Sequence, residues 1–168
     1  WSFPSGADWM DEKWYACKDW RQEFFVLDTL TGDTTIVGNN NLYNPLGLAY
    51  DVTSGRMFAL NYNFLYEIDV FNGSTQRIGK VGEGNFIGLA CDLNGNLYGV
   101  NAQDDRLYLI DKMTGSGTII GSLGISISTN EYDEQDIAFD RKEGVLYGTF
   151  YLDDPAQPGG ALYKIDPT

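Results

Sequence analysis

The chain has 168 residues, with 24 acidic and 11 basic side chains and no histidine, which gives a net charge of −13 and an isoelectric point near 4.1. This charge excludes a phosphate-binding nucleic-acid surface and docking on anionic lipid, because both require clustered lysine and arginine. The absence of histidine excludes Ser-His-Asp or Cys-His catalysis and histidine-ligated zinc within the chain. No apolar run is long enough to cross a bilayer, so no membrane insertion is expected.

The first predicted elements are four short strands separated by turn residues, a pattern typical of an antiparallel meander. They lie at residues 6–10, 14–17, 24–27 and 34–38. The same pattern recurs along the chain, and its most regular copy lies within residues 47–79. The predicted repeats cover residues 4–40, 41–83, 84–124 and 125–168.

Recurring aspartates define the spacing of these repeats. Those that follow the third strand are Asp28, Asp69, Asp111 and Asp166, separated by 41, 42 and 55 residues. Those that follow the first strand are Asp11, Asp51, Asp92 and Asp140, separated by 40, 41 and 48 residues. We interpret them as turn residues, because an aspartate carboxylate accepts backbone N–H groups two residues further on. The excess length of the last repeat is assigned to two insertions between strands, at residues 122–133 and 151–160.

A period near 42 residues with four strands per unit is typical of β-propeller blades. The predicted fold is therefore all-β: a single β-propeller domain over residues 1–168, built from about four blades of four antiparallel strands. The last blade is predicted to lack its outer strand, because the sequence stops at Pro167 and Thr168, where a turn and a further strand are expected.

Three arrangements are compatible with four such blades. The chain is part of a larger propeller of about six to eight blades, it closes as a four-bladed propeller, or two copies form a ring. In the second arrangement, residues 1–3 would lend a short strand to the last blade. An open arc would expose apolar faces and strand edges, which favours association. The chain starts with Trp1 and not with Met, which is compatible with removal of a leader.

Residues 107–121 read LYLIDKMTGSGTIIG. This phrase resembles the repeats of secreted bacterial propellers of the YVTN-like and PQQ-like group, and the resemblance extends over nearly the whole chain. It implies a bacterial protein with an extracellular or cell-surface location. The Gln/Trp pattern of quinone enzymes is missing, so no quinone is expected. Such propellers include binding modules, scaffolds and enzymes, so the resemblance implies the fold more than the function.

By analogy with this fold, a ligand is expected where the loops between the second and third strands meet the loops between blades. These loops are rich in Asn, Asp, Tyr and Trp, which suit a glycan or protein partner. Asn61 and Asn101, each at the end of a second strand, are the most suggestive pair. The candidate ligand-binding residues are Trp20, Arg21, Asn61, Tyr62, Asn101, Asp104, Arg106, Tyr132, Tyr151 and Asp153.

No cofactor is expected, and calcium is a secondary candidate. Residues 92–96 resemble the start of a calcium loop but lack the later bidentate carboxylate, so they are interpreted as a hairpin turn. The acidic side chains of Glu131, Asp133, Glu134 and Asp136 are the better cation candidate. Cys17 and Cys91 fall in different repeats and are expected to be buried thiols.

The sequence therefore predicts a non-catalytic, secreted or cell-surface module for binding or adhesion, which recognises a glycan or protein through its loop face. The first alternative is a structural scaffold segment of a larger surface protein. The second is a polysaccharide hydrolase or lyase, in which Asp104 and Asp153 would serve as acid and base if they lay about 5 to 9 Å apart.

Overall fold

The computed structural model describes residues 4–18, 20–130, 133–153 and 159–167. Within these ranges the chain forms four antiparallel sheets and no helix. The first sheet contains β1 (Pro4–Met10), β2 (Lys13–Lys18), β3 (Glu23–Leu27) and β4 (Thr34–Asn39). The second contains β5 (Pro45–Asp51), β6 (Arg56–Asn61), β7 (Phe64–Ile68) and β8 (Thr75–Lys80).

The third sheet contains β9 (Phe86–Cys91), β10 (Leu97–Asn101), β11 (Arg106–Ile110) and β12 (Gly117–Ser122). The fourth contains β13 (Asp136–Asp140), β14 (Val145–Tyr151) and β15 (Gly160–Ile165). In every sheet each strand pairs with its neighbours in the chain, so each sheet is a simple meander. The two predicted insertions fall in the connections β12–β13 and β14–β15, except for their end residues Ser122, Tyr151 and Gly160, which belong to the flanking strands.

The turns follow from the recurring aspartates. The Asp69 carboxylate accepts the N–H of Phe71 at 2.8 Å, and the Asp111 carboxylate accepts the N–H of Met113 at 2.7 Å. The same i to i+2 bond is made by Asp28, Asp51, Asp92 and Asp140. These bonds close the hairpins locally. The interpretation of these six aspartates as turn residues is confirmed.

The apolar core is divided into three clusters, one between each pair of consecutive sheets. The third sheet shows how this arises, because successive residues of one strand face different neighbours. Leu89 packs against the second sheet, and Ala90 packs against the fourth. Every residue of β9 and β10 is buried. This explains why the middle strands lack polar alternation.

The sheets are the four blades of a β-propeller, which confirms the predicted fold class. Their first strands, β1, β5, β9 and β13, contact one another in that order around the axis. The fourth blade has three strands among the described residues, in agreement with the predicted lack of an outer strand. The strand proposed for residues 1–3 lies outside the described residues.

Cys17 in β2 and Cys91 in β9 are buried free thiols in different blades, as expected. Burial raises the pKa of both thiols to about 12, so both stay protonated at neutral pH. None of the described residues belongs to a helix that is long and apolar enough to cross a membrane.

Candidate functional site

The two sets of loops proposed from the sequence lie on one face, which we call the loop face. Each loop between the second and third strands of a blade is hydrogen-bonded to an adjacent loop between blades. Trp20 N–H donates to the carbonyl of Tyr43 at 2.8 Å, and Val81 N–H donates to that of Asn63 at 2.9 Å. Ala102 N–H donates to the carbonyl of Asn85 at 2.8 Å. The loops therefore support one another around the rim.

Asn61 and Asn101 are buried beneath this rim. The Asn101 carbonyl oxygen accepts the N–H groups of Asn85 and Gln103, both at 3.0 Å, and its amide donates to the carbonyl of Glu83 at 3.0 Å. Asn61 accepts the N–H of Asn44 in the same way, at 3.3 Å. These bonds give the recurring asparagine a structural role in holding the loop between blades. The predicted ligand contact of either residue stays a prediction.

Four aromatic side chains project from the loop face, and we call them the rim aromatics. They are Trp20, Tyr43, Tyr62 and Tyr151. Trp20 is 74% exposed and Tyr62 is 62% exposed, and both have left-handed backbone, with φ of 53° and 54°. Bulky residues rarely adopt this conformation, and strain of order 1–3 kcal/mol persists mainly at functional positions. Glycine or asparagine would adopt the same left-handed backbone at an exposed turn with less strain.

Tyr151 is held by the two insertions of the fourth blade, which pair with each other. Ile127 and Leu152 form an isolated antiparallel bridge, and Ser128 N–H donates to the Tyr151 carbonyl at 2.8 Å. Asp153 N–H donates to the carbonyl of Ser126 at 3.0 Å. This pairing could not be predicted from the repeat pattern, because neither insertion belongs to the repeat.

The charged candidates on the loop face are spread over several blades. Arg21, Arg106 and Asp153 are exposed. Asp104 instead accepts the phenol hydrogen of Tyr108 at 2.6 Å, and burial together with this bond raises the pKa of Tyr108. Tyr132 lies outside the described residues. The proposed acid–base pairing of Asp104 with Asp153 stays a prediction.

Two segments were proposed from the sequence as calcium candidates: residues 92–96 and the acidic cluster at residues 131–136. Asp92 accepts the N–H groups of Asn94 and Asn96 at 2.9 and 2.8 Å, which confirms the hairpin-turn interpretation of residues 92–96. Of the predicted acidic cluster, Glu131 lies outside the described residues. Among the residues that the structure describes, no three acidic or cysteine side chains are grouped to hold a metal ion.

A second feature, missed at the sequence level, is a cavity of about 260 Å³ on the propeller axis. Residues from all four inner strands line it. Asp8 accepts the N–H of Tyr50 at 2.6 Å and pairs with Arg141 at 2.6 Å, and Arg141 also donates to the carbonyl of Trp9 at 2.8 Å. Arg141 also donates to the carbonyl of Tyr50 at 3.1 Å, so it links the fourth blade to the first two. Burial raises the pKa of Asp8, although its hydrogen bonds and Arg141 oppose this.

The register of the inner strands shows that Asp8 departs from the repeat pattern. Asp8 occupies the position that Ala49, Ala90 and Ala138 hold in the other inner strands. A charged residue in a column of alanines is the signal that marks the axial site. Because the first repeat is offset by one residue, that column is obscured when the repeats are aligned on their aspartates.

Asp136 is a second carboxylate at the axis, in a column otherwise held by glycine. Gly6, Gly47 and Gly88 occupy the equivalent positions, where the next inner strand approaches closely. The Asp136 carboxylate accepts the N–H of Ile137 at 2.8 Å. Burial, reinforced by the charge of Asp8, raises the pKa of Asp136 to about 7, although the N–H groups of Ile137 and Leu89 act against it.

Replacing Asp136 with asparagine is expected to remove a pH dependence of stability. The folded-state pKa of about 7 exceeds the ordinary 3.8, so the folded state binds the proton more tightly and stability falls as pH rises from about 4 to 7. Partial exposure reduces the effect, so we expect Asp136→Asn to be more stable by about 1–3 kcal/mol at pH 8 and by much less at pH 5. Urea unfolding at both pH values measures this.

Glu143→Gln, which alters an acid on an exposed hairpin, is the control for the Asp136 variant. It should leave the difference in stability between the two pH values as it is in the parent chain. Equal stability gains for Asp136→Asn at pH 5 and pH 8 would contradict a raised pKa at this position.

The blades, their shared core and their order around the axis define a four-bladed β-propeller with a loop face rich in exposed aromatics. No family model matches the chain, and no curated protein matches it. The resemblance to the YVTN-like and PQQ-like repeats therefore stays a resemblance.

Solved structures share the fold at low sequence identity. One is a structural genomics protein of unknown function from Bacteroides thetaiotaomicron, with a TM-score of 0.69 and 16% identity over 98% of this chain. Another is a nidogen/laminin complex, with a TM-score of 0.67 and 17% identity over 96% of this chain. The chain spans 41% and 64% of the length of these two structures.

Proposed function

We propose that this β-propeller is a non-catalytic binding module that recognises a protein through its rim aromatics. The observation that carries the proposal is the exposure of Trp20 and Tyr62 on a supported rim, each in strained left-handed backbone. Tryptophan, tyrosine and arginine dominate binding energy at protein interfaces. Arg21, beside Trp20, adds an exposed guanidinium to the same loop.

Two further observations support a protein partner. One of the structurally similar propellers was determined within a nidogen/laminin complex, that is, in contact with protein. The chain is also strongly acidic, at −13, so a partner with a basic surface would associate faster through electrostatic attraction. An extracellular or cell-surface location belongs to this proposal and rests on the resemblance of the repeats.

The absence of catalysis is also proposed, and it rests on how the carboxylates are used. Asp104, the best placed candidate acid on the loop face, is engaged by Tyr108. The Asp8 carboxylate at the axis is engaged by Arg141 and by backbone N–H groups. These bonds give both carboxylates a structural role, which supports a non-catalytic module.

The test is binding of the labelled chain to a protein array and a glycan array, followed by affinity measurement by surface plasmon resonance. Replacing both Trp20 and Tyr62 with serine is expected to weaken the interaction at least about 30-fold, since the loss of even one anchor of this type costs about 2 kcal/mol. The matched control is Phe71→Ser, which removes an aromatic that is 90% exposed on the opposite face.

Loss of affinity in the double serine variant with retention in Phe71→Ser supports the proposal. Binding to glycans alone, sensitive to the same variant, would replace the protein partner with a glycan. Equal affinity of the double variant and the parent chain would contradict the use of the loop face. Glycan turnover that is lost in Asp104→Asn would contradict a non-catalytic role.

A further inference from the structure

The cavity on the propeller axis, which we call the axial cavity, has one charged pair in an otherwise uncharged lining. Asp8 and Arg141 form this pair. The two terminal nitrogens of the Arg141 guanidinium donate to the Asp8 carboxylate at 2.6 Å and to the carbonyls of Trp9 and Tyr50 at 2.8 and 3.1 Å. Because the guanidinium is planar, these bonds also fix the direction of its third nitrogen, Nε.

Arg141 Nε is a buried hydrogen-bond donor. Among the residues that the structure describes, it has no hydrogen-bond partner. A buried donor that makes no hydrogen bond costs free energy, and such groups are rare in folded proteins. Since Arg141 lines the axial cavity, a molecule bound there can supply the acceptor.

The charges around Arg141 favour an uncharged acceptor. The guanidinium is already paired with Asp8, so an anionic ligand would bring a second negative charge close to that carboxylate. The Asp8 carboxylate also accepts the N–H groups of Trp9 and Tyr50, at 2.7 and 2.6 Å. A cationic ligand would therefore compete with donors that are already in place. A neutral carbonyl oxygen avoids both costs.

The walls of the axial cavity favour an aromatic ligand. Trp9 and Trp14 are cross-strand partners in β1 and β2, and their rings meet edge to face with centroids 5.8 Å apart. Both residues are 37% exposed, so the cavity reaches solvent beside them. Leu89 and Ile137, from the third and fourth blades, add buried aliphatic surface. Aromatic ligands pack well on ring faces and edges of this kind.

The volume of the axial cavity sets the size of the ligand. An apolar cavity of about 150 Å³ binds benzene. In proportion, about 260 Å³ accommodates roughly ten non-hydrogen atoms, the size of a two-ring molecule. We propose that the axial cavity binds an uncharged two-ring aromatic molecule whose carbonyl oxygen accepts a hydrogen bond from Arg141 Nε. The inference is independent of the proposed use of the loop face.

The test is calorimetric titration of the full chain with 1-indanone, a two-ring aryl ketone of this size. Saturable binding of one molecule per chain is expected. Indane has the same ring system without the carbonyl oxygen and is the matched ligand. It should bind at least about tenfold more weakly, because a hydrogen bond to a charged group contributes that much or more.

Two protein variants separate the hydrogen bond from the cavity as a whole. Arg141→Lys keeps a cation beside Asp8 but removes the Nε donor, so it should lose most of the preference for 1-indanone over indane. Ala138→Leu fills part of the axial cavity and should weaken the binding of both molecules at least tenfold. It is expected to fold like the parent chain, because Ala138 is exposed. Ala161→Leu, at an exposed position of the same blade outside the cavity, should bind like the parent chain.

Three results would overturn the proposal: no binding of 1-indanone by the parent chain, equal affinity of the parent chain for 1-indanone and indane, or unchanged binding by Ala138→Leu. The first two results need no variant, so they decide the question even where Arg141→Lys fails to fold. Replacing Trp20 and Tyr62 with serine should leave the binding of 1-indanone unchanged, which separates this test from that of the loop face.

Discussion

Replacing Lys112 with methionine is expected to lower the free energy of unfolding by about 3 kcal/mol at neutral pH, because it leaves a buried carboxylate without its cation. The carboxylate belongs to Asp51, whose side chain is fully buried at the first hairpin of the second blade. Lys112 reaches it from the third blade, so the pair joins two blades across their interface. Methionine keeps most of the length and apolar volume of the lysine side chain.

The pH dependence of this effect follows from the pKa of Asp51. Burial alone would raise that pKa, but hydrogen bonds from Lys112, Ser54 and Thr53 outweigh burial and hold it well below its ordinary value. The depressed pKa contributes stability above about pH 4 that is lost as the carboxylate is protonated at lower pH. Without Lys112 the pKa rises, so the deficit of the variant should be largest at neutral pH and should shrink in acid.

Urea unfolding between pH 3 and pH 8 measures the deficit. Asp51→Asn combined with Lys112→Met should recover part of the lost stability. The amide oxygen can still accept the Thr53 N–H, which donates to Asp51 Oδ1 at 2.8 Å, and the amide NH2 can donate to the Ser54 hydroxyl oxygen, which lies 2.6 Å from Asp51 Oδ2. Lys142→Met, at an exposed hairpin lysine, is the control and should change stability by less than about 0.5 kcal/mol. A deficit that is the same at every pH would contradict the pairing.

The strands, the turns and the blade period could be predicted because each is encoded locally and then repeated. Aspartate followed by glycine four residues later, as at Asp69 and Gly73, favours a turn, and its recurrence about every 41 residues in the first three repeats supports the assignment. The predicted role as turn residues is confirmed for six of the eight recurring aspartates. A residue that recurs in every blade is required by the fold, whereas a functional residue is expected in one blade only.

Repetition also indicates a structural role for the asparagines at the ends of the second strands. Asn61 and Asn101 recur at one position of the repeat, and the structure shows that they hold the loops between blades. Function is better sought where the repeat is broken. Asp8 breaks a column of alanines and Asp136 breaks a column of glycines, and these two carboxylates, with Arg141, form the axial site that the sequence analysis missed.

Other features could not be predicted because they depend on distances between segments that share no pattern. The bridge between Ile127 and Leu152 joins two insertions outside the period. The exposure of Trp20 and the burial of Asn101 are decided by how neighbouring loops pack, and both residue types are ordinary in loops. The loops were correctly placed on one face because an antiparallel meander puts alternate connections at the same end.

The second large effect on stability is expected where the outer strand of one blade contacts a turn of the next blade. Gly38 lies in β4 and Gly121 in β12, at equivalent positions of the first and third blades. The turn at Asn72 presses on Gly38, with the carbonyl oxygen 1.7 Å from where a Cβ would be. Since that oxygen belongs to the backbone, the clash cannot be relieved by rotating a side chain.

Gly38→Ala is therefore expected to lower the free energy of unfolding by about 3 kcal/mol, at the upper end of what overpacking costs, because the second blade must shift away from the first. Gly121→Ala should change it by less than about 0.5 kcal/mol, because the same methyl group meets open space. Urea unfolding of both variants measures the difference, and the unfolding of Gly79→Ala should resemble that of Gly38→Ala. If Gly38→Ala proved as stable as Gly121→Ala, the turn at Asn72 would not be packed on the neighbouring strand β4.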